Sequence, residues 1–208
     1  MLECSEWLAF KQYLVTVPND INGQVRYLLD VPKLHKDIHK NPNSTKWMKY
    51  GADLLLKIHN GDMEPSSDVH NQDIEFHHEL PKCLQGAIMA WENYRKLERI
   101  VHTLAHGALV VVLPEAFGIP LKNALSLMVS RTRRDDLENM EKDEIGLIFH
   151  ALGVSNIADA QAWYKKKAHP LSSGQVPDDA TWQLRLDDWL ALKTAHGEDF
   201  EIPYSYKG

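Results

Sequence analysis

A chain of 208 residues, 44% hydrophobic and 25% charged, carries enough apolar material for a full core, which excludes wholesale disorder. Its formal net charge of -6 gives no long-range attraction to nucleic acid or an anionic membrane, although a local basic face stays open. Two cysteines, Cys4 and Cys83, make no disulfide framework; with acidic Glu3 and Glu6 where a secretory leader is basic, they point to a reducing cytoplasm.

Helical signals dominate the first half. Ser5 is placed to cap a helix whose apolar side is Trp7, Leu8, Phe10, Leu14 and Val15. The stretch "NGQVRYLLDVPKLHKDIHK" reads as two short helices broken near Pro32, because proline lacks the N–H that a helix interior needs. Ser44 is the expected cap of "TKWMKYGADLLLKIHN", with Gly61 just past its end. Residues 60–73, rich in Gly, Pro, Ser, Asn and Asp, form a loop. From Leu84 through Ala87, Ile88, Trp91, Tyr94, Val101 and Leu104, apolar residues recur mostly at three- and four-residue intervals, the pattern of one long amphipathic helix. "ALVVVL" at 108–113 is read as the buried end of a helix, with a short strand as the alternative. No uncharged run is long enough to span a bilayer, so no membrane partner is expected.

Further on, Pro120 opens the helical "LKNALSLMVSR", and the charged "TRRDDLENMEKDE" leads into the helical "IGLIFHALG". A helix over "NIADAQAWYKKKA", a loop at 169–178 and a last helix over "ATWQLRLDDWLALKTAH" follow, with a tail that alternates like a short strand. The expected fold is therefore all-α, with roughly eight helices around one core and a short strand only at 108–113 or in the tail. One domain over 1–208 is expected; the alternative is a helical domain at 1–131 followed by a second at 132–208.

Two places carry candidate chemistry. In "RIVHTLAHGALVVVL", the run "TLAH" resembles the approach to the H-E-x-x-H helix of zinc peptidases. Gly107 and Val110 stand where the glutamate base and second histidine belong, so the peptidase reading fails. What remains is His102 and His106, one helical turn apart and able to face one ion, and a second such pair, His35 and His39. His70, His77 and His78 lie among Asp68, Asp73, Glu75 and Glu79, so a divalent-metal hydrolase is assembled on paper from these residues. Eleven histidines placed at random give on the order of one pair at this spacing, and solvated or core histidines are the plainer reading.

The second place is "ALGVSNIADAQAW" within 145–167, which resembles the helix-turn-helix of bacterial and phage regulators. The resemblance implies Gly153 in the turn, Val154 as its anchor and Ser155 as the cap of the recognition helix. It implies Asn156 and Gln161 as base contacts, and Lys165, Lys166 and Lys167 on phosphates. Phe149 and Asp159 depart from that pattern, where a small residue and an aliphatic one belong. From sequence, the leading expectation is a non-enzymatic helical regulator or adaptor with a protein partner, binding DNA through 145–167 and with self-association left open. The rivals are a metal-dependent enzyme built on His102 and His106, and an inhibitor or immunity-type protein whose acidic surface meets a basic partner.

Overall fold

A computed structural model describes residues 10–17, 25–66, 74–113 and 139–154, together with Val129 and Asp136. Four helices and four strands stand among them, so the all-α expectation gives way to a mixed α/β architecture. Strand β1 (Leu14–Val17) pairs antiparallel with β2 (Arg26–Leu29), Leu14 opposite Leu29. Leu14 and Val15 are thus strand residues, and the first half of the "two short helices" is a strand as well. Leu28, Leu29 and Tyr27 suit a half-buried pleated ribbon, and their short run gave no reason to prefer a helix.

Helix α1 (Val31–Lys40) begins where Asp30 accepts a hydrogen bond from the Lys33 amide at 3.1 Å, with Pro32 in the first turn where no N–H is needed. Val31, Leu34 and Ile38 form its buried stripe. Helix α2 (Lys46–His59) is capped by Thr45 instead of Ser44: the Thr45 hydroxyl accepts from the Met48 amide at 3.1 Å. Gly61, at φ +83°, turns the chain away after it.

The long helix expected from 84 to 104 is broken. Strand β3 (Ile74–His78) pairs antiparallel with β4 (Tyr94–Glu98), and helix α3 (Arg99–Val112) follows β4 without an intervening residue. The connection from 79 to 93 holds two single turns of 3-10 helix. Residues 108–112 end α3, so the alternative strand there is absent and the buried helix end stands. Helix α4 (Lys142–Leu152) opens with a capping box between Glu141 and Glu144 and closes at Gly153 (φ +72°), whose amide donates to the His150 carbonyl.

Helix α3 is the centre of the assembly, packed between α2 and α4 and lying against the β3–β4 hairpin. Leu104, Ala105, Ala108 and Leu109 are at most 1% exposed. Gly146 of α4 sits under the Trp47 indole, where a Cβ would stand 2.1 Å from the ring, so only glycine admits this approach. No helix among the described residues is long and apolar enough to cross a membrane.

Candidate metal centre

The strand period of two decides which side chains of the hairpin meet α3. On β3, Glu75 and His77 share one face and Phe76 and His78 the other; opposite them on β4, Leu97 and Arg95 share the first face, and Lys96 and Tyr94 the second. His77 and Leu97 are wholly buried whereas Phe76 is 62% exposed, so the Glu75/His77 face is the one covered by the helix. Helical spacing then places His102 and His106 one above the other on the side of α3 that faces β3.

These two facts bring three imidazoles together. The ring centroids of His77 lie 5.2 Å from His102 and 5.4 Å from His106, and those of His102 and His106 are 4.3 Å apart. One nitrogen from each falls within 4.8 Å of the others, close to the roughly 3.0–4.2 Å that two nitrogens about 2.1 Å from a single ion can span. Glu75 accepts a hydrogen bond from His102 Nδ1, which fixes that ring and leaves its Nε2 for an ion.

The burial of His77 is the decisive feature. Its ring is wholly inaccessible, and among the described residues neither Nδ1 nor Nε2 has a hydrogen-bond partner. A neutral imidazole carries one donor and one acceptor, and leaving both unmade in the interior is costly. Burial, then His106 and His102, hold the His77 pKa well below the ordinary value. The His106 pKa is lowered to about 3 by burial and by His102. His77 and His106 therefore stay neutral at neutral pH, each with a nitrogen lone pair free of a proton. That is the state a divalent cation requires of its ligands.

The next residue along, His78, packs its ring against Tyr94 with centroids 4.3 Å apart. Burial, Lys82 and His102 lower its pKa, so at neutral pH it is a proton acceptor rather than a cation. Its Nε2 also lacks a hydrogen-bond partner among the described residues.

The connection from 79 to 93 holds the two histidines at the strand end. Asn93, wholly buried, accepts from the Leu80 amide (2.9 Å) and donates to the carbonyls of Leu80 (3.0 Å) and Ala87 (2.8 Å). Gly86 closes against the same turn: a Cβ there would stand 1.8 Å from the Leu80 carbonyl oxygen. Beside it, Glu79 is buried between Arg95 (Nε to Oε1, 3.0 Å) and His59 (Nδ1 to Oε2, 3.0 Å), tying the hairpin to the end of α2. Burial pushes the Glu79 carboxyl up, against the downward pull of its hydrogen bond to His59 and of Arg95.

No family model matches the chain, and neither any curated protein nor any solved structure matches it significantly. The geometry thus stands on its own.

Of the residues singled out from sequence, His102 and His106 converge as their spacing requires, and His77 completes the set. His35 and His39 also meet, but on Asp53 of α2, away from this hairpin. The two pairs do not form one centre. His78 was named from sequence beside His77 among the acidic residues, whereas Asn93 and Gly86 gave no sequence signal. Of the 145–167 segment, α4 covers the first helix and buries Ile145, Leu147, Ile148 and Phe149 in the core; Ser155, Asn156, Gln161 and Lys165 to Lys167 lie outside the described residues. The helices expected around 121–131 and after 155, and the tail strand, lie mostly or wholly outside them too.

Proposed function

We propose that this chain is a metal-dependent hydrolase of phosphodiester bonds, with His77, His102 and His106 as the metal ligands and His78 as the general base. One observation carries the reading: a fully buried imidazole, His77, has neither nitrogen satisfied among the described residues and lies against two further histidines. Three protein ligands leave coordination positions open, the arrangement of catalytic rather than closed structural sites.

A divalent ion held there would supply Lewis acidity toward an anionic oxygen. Imidazole ligands bring no negative charge, so the ion's charge would not be cancelled by its first ring of ligands, and Lys82 adds positive charge near His78. That polarity suits an anionic ester. At the end of β3, where the chain turns into the 79–93 connection, His78 lies within electrostatic reach of His102. Its Nε2, unpartnered among the described residues, would take the proton from an attacking water and later return it to the leaving oxygen. Glu75 keeps His102 oriented, and Asn93 keeps the 79–93 connection folded so that His77 and His78 hold their places.

Nucleic acid is the phosphodiester that the surroundings favour. Phe76 is 62% exposed on the outer face of the hairpin, and Trp91, 81% exposed, stands in the connection two residues before Asn93. Trp91 leads through Tyr94 (centroids 6.1 Å apart) to His78 (4.3 Å), and exposed rings near such a centre would serve as stacking surfaces for bases. A regulator or adaptor without chemistry, the leading expectation from sequence, leaves the His77 ring unexplained. The test is nicking of supercoiled plasmid by untagged protein stripped of metal and reloaded with zinc, manganese, nickel or magnesium. Cleavage should depend on added metal, vanish in His102→Ala, and fall at least about a hundredfold in His78→Ala while metal is still bound. Metal-independent cleavage, or metal binding with no cleavage of DNA or RNA, would refute it.

A further inference from the structure

The second cluster of metal-binding side chains lies on the other side of α2, outside the hairpin site. His35 and His39 are one turn apart on α1, and their rings face each other with centroids 4.4 Å apart. Asp53 projects from the middle of α2 between them: its Oδ1 is 2.8 Å from His35 Nε2 and 2.8 Å from His39 Nε2. Both imidazoles thus aim the same nitrogen at one carboxylate oxygen. All three ligand atoms lie within 4.8 Å of one another, and only His35 is half-buried while the other two residues are exposed.

We infer that His35, His39 and Asp53 form a second divalent-metal site, selective for a first-row transition ion, that clamps α1 to α2. The spacing is the first support. Two ligand atoms each about 2.1 Å from one ion stand roughly 3.0 Å apart in octahedral and 3.4 Å apart in tetrahedral geometry, so the two separations of 2.8 Å from Asp53 need to open by only about 0.2–0.6 Å. The donor set is the second. Two imidazoles with a single carboxylate suit zinc, nickel, cobalt or copper and are a poor match for calcium or magnesium, which prefer oxygen alone. Exposure is the third, because the open side leaves room for waters to complete the shell and for the ion to enter.

The placement gives the site a role distinct from catalysis. In α1 the stripe Val31, Leu34 and Ile38 is buried while His35 and His39 lie off it, so the clamp acts at the rim of the α1–α2 contact. Helix α2 in turn packs on α3, with Gly51 against Ala108 and Val112, two and six residues beyond His106. An ion joining α1 to α2 therefore stiffens the layer behind the helix that carries His102 and His106 without touching the hairpin.

The inference does not rest on the hydrolase reading, and the experiment separates them. Untagged full-length protein, stripped with chelator, is titrated calorimetrically with zinc chloride. Two equivalents should bind. His102→Ala/His106→Ala should abolish one and keep the other, and zinc should still raise the thermal midpoint of that variant. Adding His39→Ala or Asp53→Ala to it should weaken the remaining equivalent by about tenfold or more. Circular dichroism of each stripped variant confirms that it is folded, which the exposed positions of His39 and Asp53 make the expected result. If the His102→Ala/His106→Ala protein binds no zinc, or if its binding is unmoved by Asp53→Ala and His39→Ala, the second site does not exist and the three side chains are only hydrogen bonded.

Discussion

Replacing His77 by leucine should make the metal-free protein more stable and the metal-loaded protein less so. The wild-type ring is wholly buried with both nitrogens unpartnered among the described residues, and each unmade buried hydrogen bond costs about 1–3 kcal/mol. Leucine is close in volume to histidine, and a volume-conserving exchange usually costs less than about 1.5 kcal/mol of repacking. The stripped variant should therefore gain about 1–4 kcal/mol, which for a chain this long raises Tm by roughly 2–4 °C per kcal/mol. With zinc at a thousandfold over its Kd, the parent gains about 4 kcal/mol by linkage and the variant, left with two ligands, much less. The two proteins should exchange rank on adding zinc. The comparison is made by urea unfolding in an Asp53→Ala background, with and without zinc, so that one site alone responds. A stripped His77→Leu protein that is less stable than its parent by more than about 1 kcal/mol, or one stabilised by zinc to the same extent, would refute the reasoning, because the ring would then have satisfied partners or no part in binding.

Other consequences follow from the same geometry. Asn93→Ala leaves the Leu80 amide and the Leu80 and Ala87 carbonyls without partners; it should cost about 2–4 kcal/mol in thermal or urea unfolding and weaken zinc binding although Asn93 is no ligand. Gly146→Ala places a methyl 2.1 Å from the Trp47 ring and should cost about 1–3 kcal/mol, with metal affinity unchanged after correction for unfolded protein. The stripped protein should lose stability on acidification. His106 has a folded pKa of about 3, below its ordinary 6.5, so between those values the unfolded chain binds a proton that the folded chain refuses. Its contribution is complete above pH 6.5 and is lost toward pH 3, with a limiting slope of about 1.4 kcal/mol per pH unit. His106→Gln should flatten that slope in unfolding curves taken at a series of pH values, and an unchanged slope would contradict the assignment.

Much of this was legible in the sequence where one helix carries its own caps. The helix start near Pro32, the helix ending before Gly61, and the helical "IGLIFHALG" ending at Gly153 are local signals that the tertiary structure leaves in force. The hairpin was not legible, for a specific reason. Strand β4 runs into α3 with no turn residue between Glu98 and Arg99, so Trp91 and Tyr94 fall into step with Val101 and Leu104 and extend a helical period through a strand. Strand β3, "IEFHH", buries a histidine and exposes a phenylalanine, which inverts the apolar-in alternation that marks a half-buried strand. The site inherits the same blindness. His102 and His106 are paired by helical spacing alone, but their third partner lies on β3, for which the sequence suggested no element, and only its pairing with β4, His77 opposite Arg95, carries it under α3.

The central claim is that three imidazoles hold one ion, and zinc-edge X-ray absorption tests it most directly. The protein carries Asp53→Ala, so that the hairpin site alone is loaded with one equivalent. Three imidazole nitrogens at about 2.0–2.1 Å, falling to two in His77→Leu, is the expected spectrum. A shell of oxygens with one imidazole or none, unchanged by His77→Leu, would contradict the account.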